Sequence, residues 1–205
     1  MNKILTTALV LGALYGTANA IEIKPYVGLD AGYNKMDVKD VEYDGKSDSK
    51  KFNYGLNAGV KFELENNLFA SAELYYRLGK LADLSESGVD PDPYIGEYAR
   101  KLEIKNTFGA KLYFGYEFND KLNAFVSFGL NRMNLESKYE DEYYYAKYTN
   151  NKFAPSYGLG VSYKIIDSLE AKLSYEYLDY KISEELSESV KFNTHSIRLG
   201  VNYLF

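Results

Sequence analysis

The 205-residue sequence predicts an all-β protein: an eight-stranded antiparallel up-and-down transmembrane barrel. Three observations predict it. Apolar and polar residues alternate with period two in eight segments, so each segment is a strand with two unlike faces. The connections between segments alternate short and long, as in a barrel with one trim rim and one elaborated rim. Aromatic residues, 22 Tyr and 11 Phe with no Trp, gather at segment ends.

Residues 1–20 stand apart. Met1-Asn2-Lys3 carries one positive charge, a mostly apolar run follows to Tyr15, and Ala18-Asn19-Ala20 offers an Ala-x-Ala cut. This is the layout of a cleaved signal peptide. The run is too short for a membrane anchor, which needs ~20 apolar residues. The barrel is then residues 21–205.

The first strand sets Val27, Leu29, Ala31 and Tyr33 against Gly28, Asp30, Gly32 and Asn34. The second sets Phe52 through Leu64, at even positions, against Asn53 through Glu63. In the third, Leu68 through Leu78 oppose Ser71, Glu73, Tyr75 and Arg77. In the fourth, Leu102, Ile104 and Phe108 through Phe118 oppose Glu103, Lys105, Thr107, Lys111 and Glu117. The remaining apolar faces run Leu122–Leu130, Phe153–Ile165, Leu169–Tyr177 and Ile197–Phe205. Tight turns at 65–67, 119–121 and 166–168 leave long polar stretches at 35–50, 81–101, 134–152 and 179–190 as loops, and put both termini at the trim rim.

The apolar face must point outward. A barrel of eight strands has an interior only just wide enough for side chains, and the apolar set, about 45 residues rich in Tyr and Phe, would overfill it. This counts against a soluble lipocalin-type barrel. At ~2.5 Å of climb per tilted residue, about eleven residues cover an apolar band ~25 Å tall, which the faces match. Tyrosine suits the membrane interface, with an apolar body and a polar tip. Phe62, Phe118, Tyr163, Tyr203 and Phe205 fall near the trim rim; Phe52, Tyr54, Tyr76, Phe153, Tyr157, Tyr175 and Tyr177 fall near the other.

The end of the chain, His195 to Phe205, with alternating apolar residues, Tyr203 and a terminal Phe205, resembles the small outer-membrane β-barrel superfamily. That group includes the transmembrane domain of outer membrane protein A, the outer membrane protein X and adhesion–invasion group, and opacity-type surface antigens of the porin-like class. The opening from Lys24 to Tyr33 is similar to their first strand. The resemblance implies a Gram-negative-type outer membrane, with long loops extracellular and termini periplasmic. It implies Val201, Tyr203 and Phe205 as a signal read by the barrel-assembly machinery, and outer-membrane lipid and lipopolysaccharide as surroundings.

The inward charges balance: Asp30, Glu63, Glu73, Glu103, Glu117, Glu170 and Glu176 against Lys61, Arg77, Lys105, Lys111, Lys164, Lys172 and Arg198. Buried charges are expected to pair, so the lumen reads as a salt-bridged plug. A narrow, low-conductance channel is the alternative. No cofactor is expected. With no Cys and one His, thiolate and multi-histidine metal sites are excluded. A lipid-modifying enzyme is a more distant reading, because neither Asn193 nor Ile197 gives His195 a hydroxyl on its own face and Ser196 points the other way. No catalytic residue is therefore expected. Net charge is −5 and the long stretches hold excess acid, which disfavours nucleic acid. Exposed Tyr143, Tyr144 and Tyr145 are candidates for contact with host or neighbouring surface proteins, unless the strands simply continue and pair there.

Overall fold

The computed structural model describes residues 22–40, 46–89, 97–141, 145–184 and 187–205. The signal segment, Tyr143 and Tyr144 lie outside them. Nine strand segments form the wall: β1 (Glu22–Asp40), β2 (Lys46–Glu63), β3 (Leu68–Leu78), β4 (Ala82–Val89), β5 (Glu97–Glu117), β6 (Leu122–Asp141), β7 (Tyr145–Ile166), β8 (Leu169–Glu184) and β9 (Ser187–Leu204). All neighbours are antiparallel. β1 pairs with both β2 and β9, and β3 pairs with both β2 and β5, so the sheet closes on itself.

Nine segments make eight staves, because β3 and β4 are one stave broken at Gly79-Lys80-Leu81. Both pair with β5. Gly79 has φ +94, a left-handed conformation that suits glycine at this break. At the trim rim, a 3₁₀ turn at Glu65–Asn67 joins β2 to β3, with Asn66 and Asn67 at φ 60 and 62. Asn tolerates that region. The Asn119 side-chain carbonyl accepts from the Lys121 and Leu122 amides, both at 2.9 Å, and so turns β5 into β6. The Phe205 amide donates to the Pro25 carbonyl at 2.9 Å, which holds the C-terminus at the same rim.

The expected apolar faces point outward: Leu29, Leu56, Leu74, Leu112, Val126, Leu159, Leu173 and Leu199 are all exposed on the wall. Both groups of rings lie on this face. Tyr203 and Phe205 meet edge-on at 5.1 Å near the trim rim, and Phe128 and Tyr157 at 5.9 Å further up.

Two expectations need correction. The long polar stretches are mostly strand, not loop: β6 runs to Asp141 and β7 resumes at Tyr145, and β8 reaches Glu184 before β9 resumes at Ser187. The backbone ladder continues there while the apolar–polar alternation that marks a lipid-facing strand ends. Exposed Tyr145 opens β7, opposite Glu140.

The second correction concerns β5. A bulge between Ile104 and Thr107 sets Lys105 and Asn106 against a single residue of β6. The extra residue reverses the facing of everything beyond it. Ile104, expected outside, is buried inside, opposite Leu135. Glu103 and Lys105, expected in the lumen, lie on the outer face instead.

Above the membrane band the wall divides. The β7–β8 ladder ends at Ser156 and Leu178, just short of Pro155, which has no amide to donate. The β2–β3 ladder ends at Tyr54 and Leu78. Beyond those points the wall continues as two sheets, β4-β5-β6-β7 and β8-β9-β1-β2. Leu81, Ile104, Met133, Leu135 and Ala154 of the first face Met36, Leu178, Tyr180 and Phe192 of the second, and all nine are buried in one apolar cluster. The extension is a small sandwich on top of a barrel.

Candidate functional site: a closed lumen

Inside the membrane band the inward side chains form stacked ion pairs. Near the trim rim the Lys24 ammonium donates to both Glu63 oxygens at 2.9 Å, and Lys61 donates to Glu117 at 2.6 Å. Lys164 completes the group at 3.9 Å from Glu63. In the next layer Glu73 accepts from Lys172 at 2.7 Å and from the Tyr113 and Tyr26 hydroxyls at 2.7 and 3.1 Å. Above it Glu176 is clasped by Arg77, which reaches both its oxygens at 3.0 Å, and by Lys111. The Tyr75 ring lies 4.3 Å from the Arg77 guanidinium and 4.7 Å from Lys111. Asp30 pairs with Arg198, whose Nη1 also donates to Asn53 at 2.9 Å. Glu170 is buried and accepts from Asn123 at 3.4 Å.

The structure thus brings together twelve of the fourteen expected lumen residues and excludes Glu103 and Lys105. It adds Lys24, which shares the inward parity of Gly28 and Asp30 but lies before the first recognised apolar residue.

Inward rings fill the remaining width, and four of them stand against a glycine: Tyr75 against Gly109, Phe69 against Gly115, Phe125 against Gly160, Tyr26 against Gly59. A methyl group at any of these glycines would collide with the ring. Near the trim rim a cavity of about 30 Å³, lined by Tyr26, Lys61, Ser71, Glu170 and Lys172 among others, has room for roughly two waters. Polar bonds continue upward: Ser196 donates to Asn34 at 2.7 Å, and Asn131 donates to Ser156 at 2.9 Å. The apolar core of the extension lies directly above. Sequence reading missed this stopper, although Met36, Met133, Leu178 and Phe192 share the parity of the lumen residues below them.

His195 sits on the outer face of β9. Contrary to expectation, it does meet a hydroxyl on its own face, from the neighbouring strand: Tyr175 Oη and His195 Nδ1 are 2.6 Å apart. The Tyr177 ring is 5.2 Å away. A within-strand search at spacing two could not find a partner that the register supplies across strands.

The chain matches the family of the outer membrane protein beta-barrel domain over residues 4–205, and it belongs to that family. No curated relative matches it. Among solved structures it is similar to Neisserial surface protein A, with 13% identity, 88% of this chain and 97% of that one covered, and a TM-score of 0.55. The attachment invasion locus protein Ail of Yersinia pestis is 16% identical, with 88% and 99% covered and a TM-score of 0.46. The N-terminal barrel of Pseudomonas aeruginosa OprF is 17% identical, with 88% and 97% covered and a TM-score of 0.42. At these identities the likeness speaks to fold alone.

Proposed function

We propose that this protein is a non-enzymatic surface barrel that acts through its exterior and its two-sheet extension rather than through its lumen. After loss of residues 1–20 as a signal peptide, Val201, Tyr203 and Phe205 serve the barrel-assembly machinery, the trim rim faces the periplasm, and the extension projects from the cell. There it stabilises the membrane surface or contacts a host or neighbouring protein. The observation that carries this reading is the double closure of the lumen, by ion pairs below and apolar packing above. Such a lumen offers ions no continuous wet path without breaking several buried pairs.

Planar-bilayer recording of the purified chain tests it. The expected result is no steady conductance; porin-sized steps would establish a channel instead. Mass analysis of lipid A with and without the protein tests for a lipid-modifying activity at His195 and Tyr175, and no mass change is expected.

A further inference from the structure

On the outer face of the extension, three acids stand side by side: Asp83 on β4, Glu103 on β5 and Glu136 on β6 are direct cross-strand partners. Like charges so placed repel. Lysines cover them. Glu136 contacts Lys105 at 2.9 Å, Lys138 at 3.1 Å and Lys147 at 3.2 Å. Glu103 contacts Lys80 at 2.5 Å and Lys105 at 3.5 Å, and Lys80 also reaches Asp83 at 2.9 Å. The next row of the register is itself basic: Lys101, Lys138 and Lys147 are successive partners across β5, β6 and β7.

The carboxylates are the inner layer and the ammoniums the outer one. The Glu103 and Glu136 side chains are 4% and 7% exposed, whereas Lys105 and Lys147 are 39% and 45% exposed. Among the described side chains, Lys80, Lys105, Lys138 and Lys147 outnumber the three acids, so the patch shows surplus positive charge. It also has a defined height. Outward Phe108, Arg132 and Phe153 are cross-strand partners at the upper edge of the apolar band. Lys105 stands three residues above Phe108 and Lys147 six above Phe153, roughly 7 to 15 Å along the tilted strands. A membrane barrel meets lipid headgroups at that level.

We infer that this lysine array is a binding site for the phosphate groups of surrounding lipid. The inference rests on the membrane orientation proposed above but not on the closed lumen.

The test uses the full mature chain refolded in zwitterionic detergent micelles. Native mass spectrometry would follow titration with phosphatidylglycerol, with lipopolysaccharide and with inorganic phosphate. The variant K105Q/K138Q/K147Q should bind the phosphate-bearing lipids more than about tenfold more weakly, since each lysine near an anionic headgroup is worth about a factor of five. The control K35Q/K50Q/K121Q, with the same charge change elsewhere, should bind as the parent does. Glu136→Gln enlarges the positive surplus and should bind more tightly; it also serves if the triple variant fails to fold. Stronger binding of lipopolysaccharide than phosphatidylglycerol would assign the site to the outer leaflet, and the reverse to the inner. Equal lipid binding by the triple variant and the control, no gain with Glu136→Gln, or inorganic phosphate binding as tightly as the lipids would overturn the proposal. Conductance does not enter the readout, so failure here leaves the closed-lumen reading standing.

Discussion

Within one strand the two halves of the molecule obey opposite rules. Along β6, the inward residues of the barrel are Asn123, Phe125, Ser127, Gly129 and Asn131, mostly polar or small, and the outward ones include Val126, Phe128 and Leu130. A few residues further the inward ones are Met133 and Leu135, and the outward ones are Arg132, Glu136 and Lys138. Along β9, Arg198 and Ser196 face in while Leu199 and Ile197 face out, and then Phe192 faces in. Neither strand needs a bulge at the switch; the outside medium changes instead. Where lipid surrounds the wall, apolar groups go outward and the narrow lumen takes the polar ones. Where water surrounds it, apolar groups are driven inward and form a core. The inversion point therefore marks the membrane surface on these two strands.

The comparison predicts different costs for damage in the two halves. The largest belongs to the barrel half. Arg198→Ala removes the partner of Asp30 and a donor to Asn53, leaving a buried carboxylate uncompensated. A loss of about 3–5 kcal/mol is expected. Urea unfolding in lipid vesicles measures it, with Lys121→Ala in the exposed turn as reference. Equal midpoints for the two would mean that the ion pairs do not hold the lumen.

In the extension, Met133→Ala opens space in an apolar core that can partly collapse, because the two sheets are not tied at the β7–β8 seam. The expected loss is about 2 kcal/mol, the low end for such a truncation. Because the two closures lie in series, either one alone should keep the lumen shut: bilayer recordings of Met133→Ala and of Arg198→Ala should both resemble the parent. Openings in Met133→Ala alone would make the stopper, and not the ion pairs, the seal.

A smaller effect is expected where rings meet glycines. Gly109→Ala drives a methyl into the Tyr75 ring and the Leu130 carbonyl. Overpacking of this kind costs about 1–3 kcal/mol. Because Tyr75 lies over Arg77 and Lys111, the damage should be smaller in a Tyr75→Leu background. A double-mutant cycle on the unfolding midpoints reads the coupling; strict additivity would show that the ring does not constrain the wall.

The barrel half was legible because lipid imposes a simple code. Alternation gave eight staves, the outward rings and twelve of the lumen charges, with the correct faces for residues such as Glu73, Arg77 and Glu176. The extension was not legible, for two reasons. Its outer face is charged and its short apolar face is carried by scattered residues such as Met36 and Phe192, so stretches of paired strand resembled polar loop. The β5 bulge is a one-residue event with no signal in Lys105-Asn106-Thr107 themselves. Leu102 and Ile104 keep the even parity of Phe108 through Phe118, so the alternation runs across the bulge without a visible break. Missing the bulge placed Glu103 and Lys105 in the lumen, and with that the lysine array was missed too.

Protonation offers the mildest probe of the difference, because it acts on the extension's outer face without deleting an atom. The hydrogen bond from Lys105, with further ones from Lys138 and Lys147, lowers the Glu136 carboxyl from its usual 4.5 to about 2. The folded value lies below the unfolded one, so as the pH falls protons bind the unfolded chain first. The contribution of this carboxylate is whole above about pH 4.5 and is lost as the pH falls toward 2. The lysines that cover Glu136 are themselves exposed and screened by solvent, so the effect on global stability should be small. The local effect is sharper: between pH 4.5 and 3 the carboxylate should stay ionised and the lysines should stay gathered. Carbon-detected NMR of a chain labelled at Glu, titrated in micelles with Glu136→Gln to assign the signal, would follow it. A midpoint near 4.5 would mean that the three lysines do not converge on Glu136 in solution.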